Sequence, residues 1–237
     1  MISNYKKIKE YNKEANANDQ IYSKLFSHPL SLFLVALLEK TNISPNVLTS
    51  ISFFLTLVGT YTLLTIDGYS GLLITLAILH FALVFDSADG QLARWTKRGS
   101  LFGAYYDVFT DHISYRLLFI SLTIRLSWEN ENAMLIGLLA LAIHTLAGFQ
   151  NLAINNIYLK NNLNNQKTEA AEQLFGKSKL KQLLGQMQNF LFAGYYLFLA
   201  ITFVFNIPIY FLYTMGTISG LLILKRSVVF YFAVKGK

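Results

Sequence analysis

The sequence predicts an all-α integral membrane protein, with six transmembrane helices preceded by an N-terminal interfacial amphipathic helix. Three observations predict it. Hydrophobic residues make up 54% of the 237 and charged residues only 14%, against roughly 25% charged in an ordinary soluble domain; mean hydropathy is +0.41. Apolar stretches close to the roughly 20 residues a spanning helix needs recur along the chain. Basic residues are sorted into alternate connections, as membrane topology requires.

Residues 1–24 are polar and basic and read as a cytosolic arm; no early apolar core with a cleavage site is present, so no cleavable signal peptide is expected. Residues 25–41 hold an apolar stretch too short to span, read as a helix lying at the interface. Pro45 after Ser44 restarts the chain at a helix N-terminus. The expected spans are residues 46–66, 69–93, 101–126, 133–158, 187–205 and 208–234. The polar stretch 159–186 is a solvated connector or a short amphipathic helix on the inner surface. The domain division is residues 1–44, arm and interfacial helix, and residues 45–237, the six-helix membrane domain.

With the N-terminus in the cytosol, 18 of the 20 Lys and Arg residues fall on cytosolic pieces or helix ends. The exceptions are Arg125, at the edge of an outer loop, and Arg116. Six spans return the C-terminus to the cytosol, and Trp95 and Trp128 fall at helix ends as interfacial anchors. The net charge of +7 is accounted for by topology and anionic lipid headgroups, so the lipid bilayer, not nucleic acid, is the expected partner. The absence of cysteine excludes a disulfide framework, a thiolate zinc site and a thiol nucleophile. His28, His80, His112 and His144 show no close zinc-ligand spacing.

Of 13 acidic residues, Asp86, Asp89, Asp107 and Asp111 lie within apolar spans, where each charge costs several kcal/mol. Asp86 and Asp89 are i, i+3 and Asp107 and Asp111 are i, i+4, so each pair shares one helix face. The two helices are read as antiparallel neighbours joined by a short loop, which puts the pairs at similar depth. Four carboxylates in a small volume demand protonation or cations. Hard divalent ions with oxygen ligation, Mg²⁺ or Mn²⁺, suit them, and two such ions would serve phosphate displacement. Gly90, Ala93 and Gly103 are small enough to let helices approach or to leave room for a flat group. Arg94, Lys97 and Arg98 set positive charge at the cytosolic mouth, where an anionic nucleotide would enter.

The segment FDSADGQLARWTKRGSLFGAYYDVFTDH resembles the signature of the CDP-alcohol phosphotransferase family at Asp86, Asp89, Gly90, Ala93, Arg94, Gly103, Asp107 and Asp111. The resemblance implies a six-helix membrane fold, a homodimer, and a site open to the cytosol. It implies transfer of a substituted phosphate from a CDP-linked alcohol to an acceptor hydroxyl, with release of CMP. By the same resemblance Asp86, Asp89 and Asp107 are metal ligands, and Asp111 is the general base and also a ligand. Gly90, Ala93 and Arg94 line the CDP pocket, Ser100 reaches the nucleotide phosphates, and Asn46 and Thr49 in SPNVLT contact the nucleotide. Arg116 and Arg226 would bind a phosphate on the acceptor, as in members that use glycerol 3-phosphate or inositol phosphate. The competing readings are an ion pair with the aspartates for Arg116 and snorkelling for Arg226 with Lys225. His112 is expected to point away from Asp111, and His80 and His144 to make helix-to-helix hydrogen bonds. Gln150, Asn151, Asn155 and Asn156 are read as a polar helix end, and the tyrosines at 195, 196, 210 and 213 as packing or lipid-facing.

The expected reaction takes CDP-diacylglycerol and a small polar acceptor. The alternative reverses the lipid side, with a CDP-linked polar alcohol donating to a lipid or other alcohol. A cation transporter is disfavoured because no acidic path continues to the far side.

Overall fold

A computed structural model of the chain describes residues 2–13, 23–161, 174 and 195–235, which are mostly helical with no strand among them. Helix α1 is Ile2–Tyr11, and α2 is His28–Leu38, entered through a π-helical turn at Ser23–Ser27. The longer elements are α3, Pro45–Thr65; α4, Gly68–Thr96; α5, Leu101–Ser127; and α6, Asn132–Lys160. After them come α7, Tyr195–Val204, and α8, Ile209–Lys235. The expected spans match these bounds to within a few residues, except the fifth, of which the part before residue 195 lies outside the described residues. The inner-surface helix considered within 159–186 falls almost wholly outside them too.

Among the described residues four helices, α3, α4, α6 and α8, are long and apolar enough to cross a membrane. α5 has the length, 27 residues, but carries Asp107, Asp111, Arg116 and Arg125 along it. Large apolar side chains face outward, among them Phe54, Tyr61, Phe81, Leu135, Phe149 and Leu224. Soluble monomers rarely expose so many large apolar side chains, whereas lipid favours them. The molecule is an integral membrane protein.

Local chemistry fixes the helix ends. Ser44 has extended backbone and Pro45 supplies the first helical φ of α3, where its missing N–H costs nothing. α4 stops at Lys97, whose φ of 55° turns the chain while its N–H caps the carbonyls of Ala93 and Arg94. The Ser100 hydroxyl then accepts from the Gly103 N–H at 2.9 Å and opens α5.

The packing order corrects one expectation. α4 and α5 hardly touch; α3 packs along both and stands between them, while α6 packs against α5 and α8. The reason lies in the residues: α3 carries Gly59 and small hydroxyl side chains, Thr49, Ser52, Thr56 and Thr60, all buried, which admit neighbours on its flanks. The main core joins Leu63, Leu79, Phe119, Leu122, Leu199, Phe203, Phe211 and Met215. At its edge α6 and α8 close tightly, because a Cβ on Gly216 would sit 3.2 Å from the Ala140 Cα.

A second cluster unites Ile8, Leu32, Val35, Ala36, Leu48, Ala88 and Leu92, from α1 to α4. It shows that the first residues, read as a cytosolic arm, include a docked helix. α1 buries Ile8 completely and turns Lys6, Lys7 and Lys9 outward. One apolar residue per turn in a charged segment is too weak a signal for a hydropathy average, yet it is enough to dock a helix. α2 also departs from simple amphipathicity: Leu30, Phe33 and Leu37 face outward, and the inward Ser31 hydroxyl donates to Gln91 of α4 at 3.0 Å.

Candidate active site

Three of the four signature aspartates converge although α4 and α5 hardly touch. One carboxylate oxygen each from Asp86, Asp89 and Asp107 lies within 4.8 Å of the other two. Asp89 is buried, and Asp86 and Asp107 are half-buried. At that spacing each like-charged pair repels by about 3 kcal/mol at an effective dielectric of about 20. The Thr49 hydroxyl of α3 donates to Asp89 Oδ2 and relieves part of the burden on the most buried of the three. The donor set is hard, anionic and all oxygen, which fits Mg²⁺ or Mn²⁺ and does not fit a soft ion.

Asp111, one turn beyond Asp107, is not among these three. It lines a cavity of about 240 Å³ with His112, Tyr115, Arg116, His144, Tyr195 and Arg226. Among the described residues Arg116 makes no ion pair with an aspartate: its Nη1 donates to the His112 carbonyl at 2.7 Å and lies 3.2 Å from His112 Nδ1. Arg226 Nη1 donates to the Ala147 carbonyl of α6 at 2.7 Å and so is anchored inside the bundle. His112 also lines the cavity: Val108, Asp111, His112, Tyr115 and Arg116 fall at i, i+3, i+4, i+7 and i+8, one stripe of α5, so the angle expected between His112 and Asp111 does not take it out of the wall.

The remaining signature residues lie toward the α4–α5 turn. Gly90 and Arg94 are one turn apart on α4, and a Cβ at Gly90 would sit 3.2 Å from Arg94 Nη1. The guanidinium therefore lies against bare backbone, and glycine makes its place. Gly103 plays the same part on α5, where a Cβ would meet Asn46 Oδ1 at 2.8 Å and Ser100 Oγ at 3.1 Å. Asn46 is thereby brought to the α5 N-terminus, while the hydroxyls of Ser100 and Thr49 are engaged with Gly103 and Asp89. Ala93 is half-buried beside Arg94.

Two contributors were not visible in the sequence. Asn12, just after α1, is completely buried and accepts from Arg94 Nε at 2.8 Å through Oδ1. Glu39, after α2, accepts from Trp95 Nε1 at 2.8 Å and from Asn4. Trp95, expected as a lipid-interface anchor, is held by that bond to Glu39 and by a T-shaped contact with Tyr11, ring centroids 5.5 Å apart. The signal for this was the i, i+4 pair Ile8 and Asn12. His144 does make the expected helix-to-helix bond, to Ser219 at 3.0 Å, while also lining the cavity. Gln150 ties α6 to α8 through Ser227 at 2.8 Å. Tyr195 is buried in the core and not lipid-facing. On the opposite side of the bundle Arg125 pairs with Asp67 at 2.8 Å and stacks over Trp128.

Comparison with known proteins places the chain in a family. A family model described as CDP-alcohol phosphatidyltransferase matches residues 42–218, which include all four aspartates and Asn46, Thr49 and Arg116. A curated protein of Aquifex aeolicus (strain VF5), itself named only as an uncharacterized protein, is 33% identical over 109 residues, or 46% of this chain and 54% of that protein. The chain thus spans about half the length of the curated relative it matches.

Proposed function

The chain belongs to the CDP-alcohol phosphatidyltransferase family, and from that premise we propose that it transfers a phosphatidyl group from CDP-diacylglycerol to a phosphorylated polyol, of the glycerol 3-phosphate or inositol phosphate type, releasing CMP in phospholipid synthesis. The observation that carries the choice of acceptor is the cavity in which Asp111 is joined by Arg116 and Arg226. Two guanidinium groups inside a membrane bundle are costly unless an anion meets them, and a phosphate matches their donor geometry. The reverse arrangement, a polar CDP-alcohol donating to a lipid, brings no acceptor phosphate for these two cations to meet.

In this reading Asp86, Asp89 and Asp107 hold Mg²⁺ or Mn²⁺, two ions in the full site, with Asp111 as a further candidate ligand. Bound there, the ions neutralise charge on the pyrophosphate. Arg94, Gly90, Ala93, Asn46 and Ser100 hold the CDP moiety, and Thr49 acts through Asp89. Arg116 and Arg226 orient the acceptor so that its hydroxyl faces Asp111. The Asp111 carboxylate takes the hydroxyl proton as the acceptor oxygen attacks the lipid-bearing phosphorus in line. The bond from that phosphorus to the bridging oxygen breaks, and CMP departs with the electron pair.

The whole chain is proposed to cross the membrane six times, with α5 and α7 joining the four apolar helices, and to work as a homodimer. Both termini and the site face the cytoplasm, a placement supported by the cytosolic bias of Lys and Arg. Residues 1–44 precede the membrane domain of residues 45–237. The test is CMP release by purified protein with Mg²⁺ or Mn²⁺, CDP-diacylglycerol and a panel of acceptors. Turnover with phosphorylated polyols and little with their unphosphorylated forms is expected. CMP release only from CDP-choline or CDP-ethanolamine with diacylglycerol overturns the proposed direction, and no release from any pair overturns the enzyme reading.

A further inference from the structure

We propose that Asn12 is a positioning residue for nucleotide recognition: through its side-chain carbonyl it sets the orientation of the Arg94 guanidinium, so that α1 forms part of the CDP site. The inference rests on the reading of Arg94 as a CDP contact. Asn12 is completely buried, although it follows a helix whose lysines face outward. Its amide is fixed at both ends, with Nδ2 donating to the Ile8 carbonyl at 3.0 Å and Oδ1 accepting from Arg94 Nε at 2.8 Å. The first bond holds the amide plane, so the second has a defined direction. Arg94 is constrained from the other side by the bare backbone of Gly90. A guanidinium tied at Nε keeps its terminal nitrogens in a set plane, which is what forked recognition of phosphate oxygens needs.

The docking of α1 is built for this register. Ile8 sits in the cluster with Leu32, Val35 and Leu92, while Tyr11 meets Trp95 and Asn4 meets Glu39. These contacts flank Asn12 on the helix side and flank Arg94 on the α4 side. Moving α1 by one residue would break all of them together. The basic residue of the signature is therefore oriented by a segment more than 80 positions earlier in the chain, outside the residues the family model matches.

The experiment measures CDP affinity by calorimetry on the full-length protein in detergent with Mg²⁺, for wild type, Asn12→Leu, Asn12→Ala, Asn12→Asp, Arg94→Ala and the double variant Asn12→Leu/Arg94→Ala. Loss of one charge-assisted bond predicts roughly tenfold weaker CDP binding in Asn12→Leu and Asn12→Ala. Asn12→Asp, which keeps an acceptor for Nε but loses the bond to the Ile8 carbonyl, should bind between wild type and Asn12→Leu. In the Arg94→Ala background Asn12→Leu should cause no further loss. Unchanged CDP affinity in Asn12→Leu and Asn12→Ala, with Arg94→Ala weakened, overturns the inference alone. Equal CDP binding by wild type and Arg94→Ala overturns both the inference and the nucleotide reading of Arg94. A lowered thermal midpoint with CDP affinity intact, or a full additional loss in the double variant, assigns Asn12 a merely structural part and likewise overturns it.

Discussion

Thr49, near the start of α3, donates its hydroxyl hydrogen to Asp89 of α4, forty residues away. The bond reaches from the helix that stands between α4 and α5 to the most buried member of the carboxylate group. If Asp89 is a metal ligand as proposed, Thr49 is its outer-shell partner and fixes the carboxylate's orientation. Thr49→Val keeps the shape and removes the donor. The expected result is about a tenfold or greater rise in the Mg²⁺ concentration needed for half-maximal activity, recovered in Thr49→Ser. A metal titration of CMP release checks it, and an unchanged titration curve would show that Asp89 needs no such partner.

Asp111 and Asp89 should fail in different ways. Asp111 faces the cavity of Arg116 and Arg226, whereas Asp89 sits with the other two carboxylates. Asp111→Asn is expected to lower kcat by about 10²–10⁴ while CDP still binds with Mg²⁺. Asp89→Asn should abolish metal-dependent CDP binding itself. Single-turnover kinetics beside calorimetry separate the two, and loss of CDP binding in both variants would make Asp111 a ligand first.

Arg116→Ala and Arg226→Ala should raise KM for a phosphorylated acceptor and leave KM for CDP-diacylglycerol nearly unchanged. Losing a hydrogen bond to a charged group costs about 1.5–3 kcal/mol, or roughly 10- to 100-fold in kcat/KM. Arg226 also holds the Ala147 carbonyl, so Arg226→Lys, which can keep one donor, should lie between wild type and alanine. Parallel rises in both KM values would place these side chains in general packing.

Gly137 faces Thr123 across the α5–α6 contact. A Cβ there would fall 2.1 Å from Thr123 Oγ1 and 2.7 Å from its Cβ. Gly137→Ala should therefore lower stability by about 1–3 kcal/mol through overpacking, read as a lower thermal midpoint in detergent. Adding Thr123→Ala removes the nearest atom but not the Cβ, so rescue should be partial. A midpoint equal to wild type would mean that the two helices separate more easily than their spacing implies.

A chain with 54% hydrophobic residues and basic residues on alternate connections can satisfy its backbone in lipid only as a helical bundle, so sequence by itself determined the class and most helix bounds. It also determined the metal-ligand candidates, because apolar helices tolerate four carboxylates at i, i+3 and i, i+4 only where protons or cations neutralise them. What it could not contain was the relation between elements distant in the chain. Nothing local states that α3 rather than α5 is the main neighbour of α4, that Thr49 meets Asp89, or that His112 and His144 share a wall with Asp111. α1 is the plainest case: Lys6, Lys7 and Lys9 dominate its composition, while Ile8 and Asn12 decide its place. Composition averages over a segment, whereas docking depends on the one face that finds a partner. Only the tertiary structure decides which face that is, since burial is a property of the contact and not of the residue.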